Sequence, residues 1–122
     1  MIDAGGVAAA VLSADVVVLE ALAASPDEIL AAPGSRAAAS VAYCAEIPVW
    51  IVVGCGRVLP PAAFRSMVER VLDVGSPWSA EAEVVPLALA ADVVRHDGRR
   101  PAGEGPLVAE CAAVPELLRP LR

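Results

Sequence analysis

Asp15-Val16-Val17-Val18-Leu19 and Pro48-Val49-Trp50-Ile51-Val52-Val53-Gly54 are the two stretches whose reading decides the fold. Both are continuous apolar runs rich in β-branched side chains and free of polar alternation, the pattern of interior strands in a parallel sheet covered on both faces. Between them Ala32-Pro33-Gly34-Ser35 breaks the chain, and an alanine-rich segment follows to about Ala45, with Ser35 as its helix N-cap. Strand, roughly a dozen helical residues and strand compose a βαβ unit, whose crossover is right-handed in about 98% of cases. The expected class is α/β: a mainly parallel sheet flanked by helices, in a single small domain over residues 1–122.

Outward from this unit the signals are shorter. Upstream, Val7, Val11 and Leu12 recur at helical spacing within Ala4 to Ser13 and predict a short buried helix. Ala21 to Ala32 reads as a connection, with Ser25-Pro26-Asp27-Glu28 as its turn. Downstream of Pro60-Pro61, residues Phe64, Met67, Val68, Val71 and Leu72 define one apolar helix face, and Arg65, Ser66, Glu69 and Arg70 take the other. Gly75-Ser76-Pro77 ends that helix, and Trp78 to Glu83 is expected to be a loop. Pro86 to Ala90 is expected to form one helical turn before a third interior strand, Ala91 to Arg95, closed by His96-Asp97-Gly98. Leu107 to Leu118 reads as a C-terminal helical segment broken at Pro115, and no internal repeat is present.

Composition narrows the function classes. Hydrophobic residues make up 57% of the 122 and charged residues 20%, which excludes a disordered, collagen-like or coiled-coil chain. The net charge is −6, and the nine basic residues are arginines scattered along the sequence, which argues against a nucleic-acid surface. Cys44, Cys55 and Cys111 lack CxxC spacing and are odd in number, so they predict no zinc knuckle and no disulfide framework; reduced thiols in a cytoplasm are expected. Ala37 to Gly56 has transmembrane length but contains Glu46 and Pro48 and changes period midway, which argues against a membrane span. Asp3 stands where a signal peptide needs basic residues, so export is not expected.

Three clusters have chemical meaning. Gly54-Cys55-Gly56-Arg57 follows the second strand at the carboxyl edge where open α/β sheets bind ligands; paired glycines let backbone approach an anion, and Arg57 can clamp it. The plain alternative is a tight strand exit with a solvated arginine. Gly34-Ser35-Arg36 puts a cation in the first turn of a helix, against the macrodipole, so an anion is expected beside it, from a phosphorylated ligand or from Asp27 or Glu28. Cys55 needs a base to act as a nucleophile, and the sole histidine, His96, ends a different strand. Trp50, inside an apolar strand, reads as core or interface.

The order of these pieces is similar to a known family. Asp3-Ala4-Gly5-Gly6-Val7 before a helix, the strand Asp15 to Leu19, Pro33-Gly34-Ser35, the strand Ile47 to Val53, then Val85-Pro86-Leu87-Ala88-Leu89 and Val93-Val94-Arg95-His96-Asp97-Gly98 follow at the right separations. Over about residues 2–101 they resemble the Rossmann-like C-terminal domain shared by regulatory subunits of translation initiation factor 2B, methylthioribose-1-phosphate isomerase and ribose-1,5-bisphosphate isomerase. The resemblance implies a Rossmann-like fold and assembly through this domain. It also exposes departures. Ala21 stands where the isomerases carry their catalytic aspartate, Ala31-Ala32 stand where they carry asparagine and lysine, and their catalytic cysteine belongs to a region upstream of anything present here. Gly34 and Ser35 match, and Glu20 is a carboxylate one residue out of register.

Two functions are therefore weighed. The first is a catalytically degenerate domain that acts by binding to itself or to a protein partner, with no catalytic residue, metal or cofactor assigned. Its high mean hydropathy of +0.64 favours a homodimer, with the alanine-rich helices and Leu107 to Leu118 as interface elements. The second is an enzyme or phosphorylated-small-molecule binder with a site rebuilt from Glu20, Gly34, Ser35, Arg36, Gly54, Cys55, Gly56 and Arg57.

Overall fold

The computed structural model describes residues 3–110. After a 3-10 turn at Ala4–Gly6 come α1 (Val7–Leu12), β1 (Val17–Ala21), β2 (Ala23–Ala24), β3 (Glu28–Ala31), α2 (Ser35–Cys44), β4 (Val49–Val53) and α3 (Pro61–Leu72). Past a 3-10 turn at Pro77–Ser79 lie β5 (Glu83–Pro86), a 3-10 turn at Leu87–Leu89, β6 (Asp92–Arg95), β7 (Gly98–Pro101) and a last 3-10 turn at Ala102–Glu104.

The α/β class holds. One sheet has the order β1-β4-β6-β7, with β1, β4 and β6 parallel and β7 antiparallel at the end. The βαβ unit is present: Val17 to Ala21 pair in register with Val49 to Val53. The Ala21 to Ala32 stretch is not a mere connection, however, nor is Glu83 part of a loop. Together they build a second, antiparallel sheet, β2-β3-β5. Residues 107–110 are not helical; the rest of the expected C-terminal segment, and Cys111, lie outside the described residues.

A shared core joins the two sheets. Ile51, Val49 and Val53 from β4 meet Ile29 from β3, Val85 from β5 and the loop residue Val58, all essentially inaccessible, and Ala39 and Ala42 of α2 pack into the same cluster. Alanine at these helix positions brings α2 close to the sheet. Gly34, with φ +92°, precedes α2 in the left-handed region that glycine tolerates, so the N-cap is Gly34 and Ser35 is the first helical residue.

Two further expectations need correcting. The helix α3 buries Phe64, with Val68 and Val71 half-buried, against Ala23, Leu30 and Ala82; Met67 and Leu72 are exposed. Its stripe is narrower than expected because it lies on the small sheet, too little area to cover five large side chains. Nor is the large sheet covered on both faces. Leu19 and Ala21 of β1 are buried, but Val18 is 56% exposed and Glu20 is exposed, and β1 is an edge strand rather than an interior one. The helix α2 and the small sheet both pack on the face that carries Leu19, Ile51 and Val93; on the opposite face Val18 is exposed and Trp50, Val52 and Val94 are half-buried.

Candidate functional site

The carboxyl ends of β1, β4 and β6 lie along one edge of the large sheet, and the candidate residues distribute unevenly around it. Glu20 does not reach that edge's interior. It registers with Val52 and points to the exposed face, while Ala21, 1% exposed, points into the core. The one-residue slip is thus a change of face, as the period of a strand requires.

The turn after β4 is closed by a hydrogen bond from the Arg57 backbone N–H to the Gly54 carbonyl, 3.3 Å, with Gly56 at φ +76°. The Arg57 guanidinium does not extend into solvent: Nη1 donates to the Leu22 carbonyl at 3.0 Å, which ties the exit of β4 to that of β1. Its aliphatic stem lies over Gly54, 3.6 Å from where a Cβ would stand. The Gly56 backbone N–H donates to the Glu110 carboxylate, and the same carboxylate pairs with Arg95 at the end of β6. Cys55 is exposed, and no hydrogen bond joins it to His96 among the described residues.

The anion expected beside Arg36 is present as a side chain. The Glu83 carboxylate, in β5, accepts the Arg36 backbone N–H at 3.0 Å, and the Arg36 guanidinium donates to the Val84 carbonyl at 3.4 Å. This corrects the assignment to Asp27 or Glu28. Asp27 instead accepts from the Ser25 hydroxyl at 3.2 Å, within the turn before β3. Ser35 donates its backbone N–H to Ala32. Among the described residues, the group at the start of α2 and the group after β4 share no hydrogen-bond partner.

Sequence reasoning missed Arg95 and Glu110. Arg95, which pairs with Glu110, borders a cavity of about 330 Å³ lined also by His96, Asp97, Arg100, Glu104 and Leu107 among others, beside β6 and β7. Arg95 Nη1 is buried without a hydrogen-bond partner among the described residues. No group of His, Cys, Asp and Glu among the described residues is arranged to hold a metal ion. No helix among the described residues is long and apolar enough to cross a membrane.

No family model and no curated protein matches the chain. Solved structures do. Similar ones include eIF2B beta from Chaetomium thermophilum (TM-score 0.64, 19% identity, 83% of this chain and 29% of that one). Translation initiation factor eIF-2B, subunit delta, from A. fulgidus matches with TM-score 0.62 and 15% identity, over 82% of this chain and 34% of that one. Translation initiation factor eIF-2B from Pyrococcus horikoshii OT3 matches with TM-score 0.62 and 12% identity, over 80% of this chain and 38% of that one. The chain has the fold found in these eIF2B subunits. It spans about a third of their length. Within the eIF2B fold, the edge is tied internally: Arg57 to Leu22, Glu110 to Gly56 and Arg95, Glu83 to Arg36.

Proposed function

We propose that this chain is a catalytically degenerate domain of eIF2B fold that acts by binding, through self-association or a protein partner, in the cytoplasm. The observation that carries this reading is the pair Glu20 and Ala21. The position that resembles the isomerases' acid is a buried alanine, and the neighbouring carboxylate faces solvent on the other side of the strand. Moving a proton between adjacent sugar carbons needs a positioned acid or base, worth about 10² to 10⁴ in rate, and a methyl group supplies none. Ala31 and Ala32, where the resembled family has an amide and an ammonium, remove the phosphate contacts as well.

The test is turnover of methylthioribose-1-phosphate and ribose-1,5-bisphosphate. The expected rate is that of buffer. Turnover that disappears in Glu20→Ala would overturn the non-catalytic reading.

A second reading, a binder of phosphorylated small molecules, draws support from the Glu110 carboxylate, because the Gly56 N–H and Arg95 already gather one anion at the sheet edge. A thermal-shift series with sugar phosphates and nucleotides separates the two, since a ligand at one hundred times its Kd adds about 2.7 kcal/mol.

A further inference from the structure

The uncovered face of the large sheet has a defined pattern. Two rows cross its four strands: Val18, Trp50, Asp92 and Pro101 in one, and Glu20, Val52, Val94 and Arg99 in the other. Val18 is exposed and Trp50, Val52 and Val94 are half-buried, and none of the four belongs to either cluster of packed hydrophobic residues. Arg99 lies over the Trp50 ring at 4.3 Å from its centroid and pairs with Asp92 at 3.5 Å. One edge strand thus presents an acid, Glu20, and the other a base, Arg99, in the same row.

We propose that this face is a docking surface for a second copy of the chain, paired about a two-fold axis that runs parallel to the strands between β4 and β6. The proposal rests on the self-association part of the function above. Rotation about that axis carries β1 of one copy over β7 of the other and leaves the rows aligned. Glu20 then faces the second copy's Arg99 at both ends of its row, and Val52 faces Val94 in the middle. In the other row Val18 meets Pro101 and Trp50 meets Asp92, whose charge Arg99 of its own chain already balances. The other in-plane two-fold axis, perpendicular to the strands, lays Glu20 on Val18 and Asp92 on Val94. Asp92 keeps its own Arg99 in either arrangement, but here Glu20 is left against hydrocarbon with no cation opposite, which its desolvation disfavours. Charge complementarity therefore selects the first axis, and the aligned packing of sheets about 10 Å apart accommodates it.

The area sets the strength. Four strands about 4.8 Å apart and four or five residues long at about 3.3 Å each span about 300 Å² in plan. Pairing two such faces covers about 600 Å² in plan, well below the range of about 1,200–2,000 Å² for stable interfaces. The association is a reversible monomer–dimer equilibrium in the micromolar to millimolar range rather than an obligate dimer.

Sedimentation equilibrium of the full chain, from about 1 µM to 1 mM, reads it directly. The expected result is a mass rising with concentration from near 12.4 kDa towards twice that value. Glu20→Arg and Arg99→Glu, both at exposed positions, each weaken association about tenfold by placing like charges opposite. The double variant associates about tenfold more tightly than Arg99→Glu alone. Far-UV circular dichroism verifies that each variant is folded. A monomer at every concentration overturns self-association altogether. A dimer indifferent to both single changes, or not recovered in the double, leaves self-association standing and overturns this surface.

Discussion

Glu83 does for α2 what a capping side chain ordinarily does from within the helix's own first turn. Its carboxylate satisfies the Arg36 N–H and sits at the positive end of the helix dipole, but it comes from a strand 47 residues away. Replacement of a capping acid costs about 1 kcal/mol. Glu83→Ala is therefore expected to lower the unfolding free energy by about that amount, and Glu83→Gln by less, measured by urea denaturation. The need for an anion beside Arg36 was legible in the sequence; its source was not, because strand pairing between β3 and β5 brings it there and no local pattern announces that pairing. The same is true of Glu110, whose carboxylate reaches Gly56 and Arg95 from the far end of the described chain. By contrast, the opposed directions of Glu20 and Ala21 followed from the two-residue period of a strand alone.

Among the elements, β1, β4 and β6 were readable as apolar runs rich in β-branched residues, and α2 and α3 as segments long enough for a helix between clear breaks. The small sheet was not. Ala23-Ala24 and Glu28-Ile29-Leu30-Ala31 are short and poor in β-branched residues, although Ile29, Leu30 and Ala31 are among the most buried in the chain. For β7 the reason is the reverse: Gly98, Arg99, Arg100 and Pro101 are exposed, so no apolar pattern marks them. The helix α3 tests how burial rather than hydrophobicity decides energetics. Phe64→Ala empties a packed site against Ala23, Leu30 and Ala82 and is expected to cost about 3–5 kcal/mol. Met67→Ala, on the same helix but 39% exposed, should change stability by no more than about 0.5 kcal/mol in the same titration. Equal losses would mean that α3 is seated on the wider face read from its sequence.

For the whole molecule, the two sheets are not separable layers. Ile29 and Val85 of the small sheet and Ile51 and Val53 of the large one lie in one continuous cluster with α2, so neither sheet keeps its buried face if the other opens. Unfolding is expected to be a single transition, with tryptophan fluorescence and far-UV circular dichroism giving coincident curves. Separate midpoints would show that the sheets melt independently. The outer edge of β1 has a consequence of a different kind. Among the described residues β1 is paired on one side only, and such a strand is a template for open-ended polymerisation, on which any partly unfolded chain adds by backbone hydrogen bonds alone. Val18 would welcome such growth, and Glu20, two residues further along the same rim, opposes it: a stack of identical strands would bring identical carboxylates into line every 4.8 Å or so. Glu20 is well placed to serve as the protein's guard against fibrils.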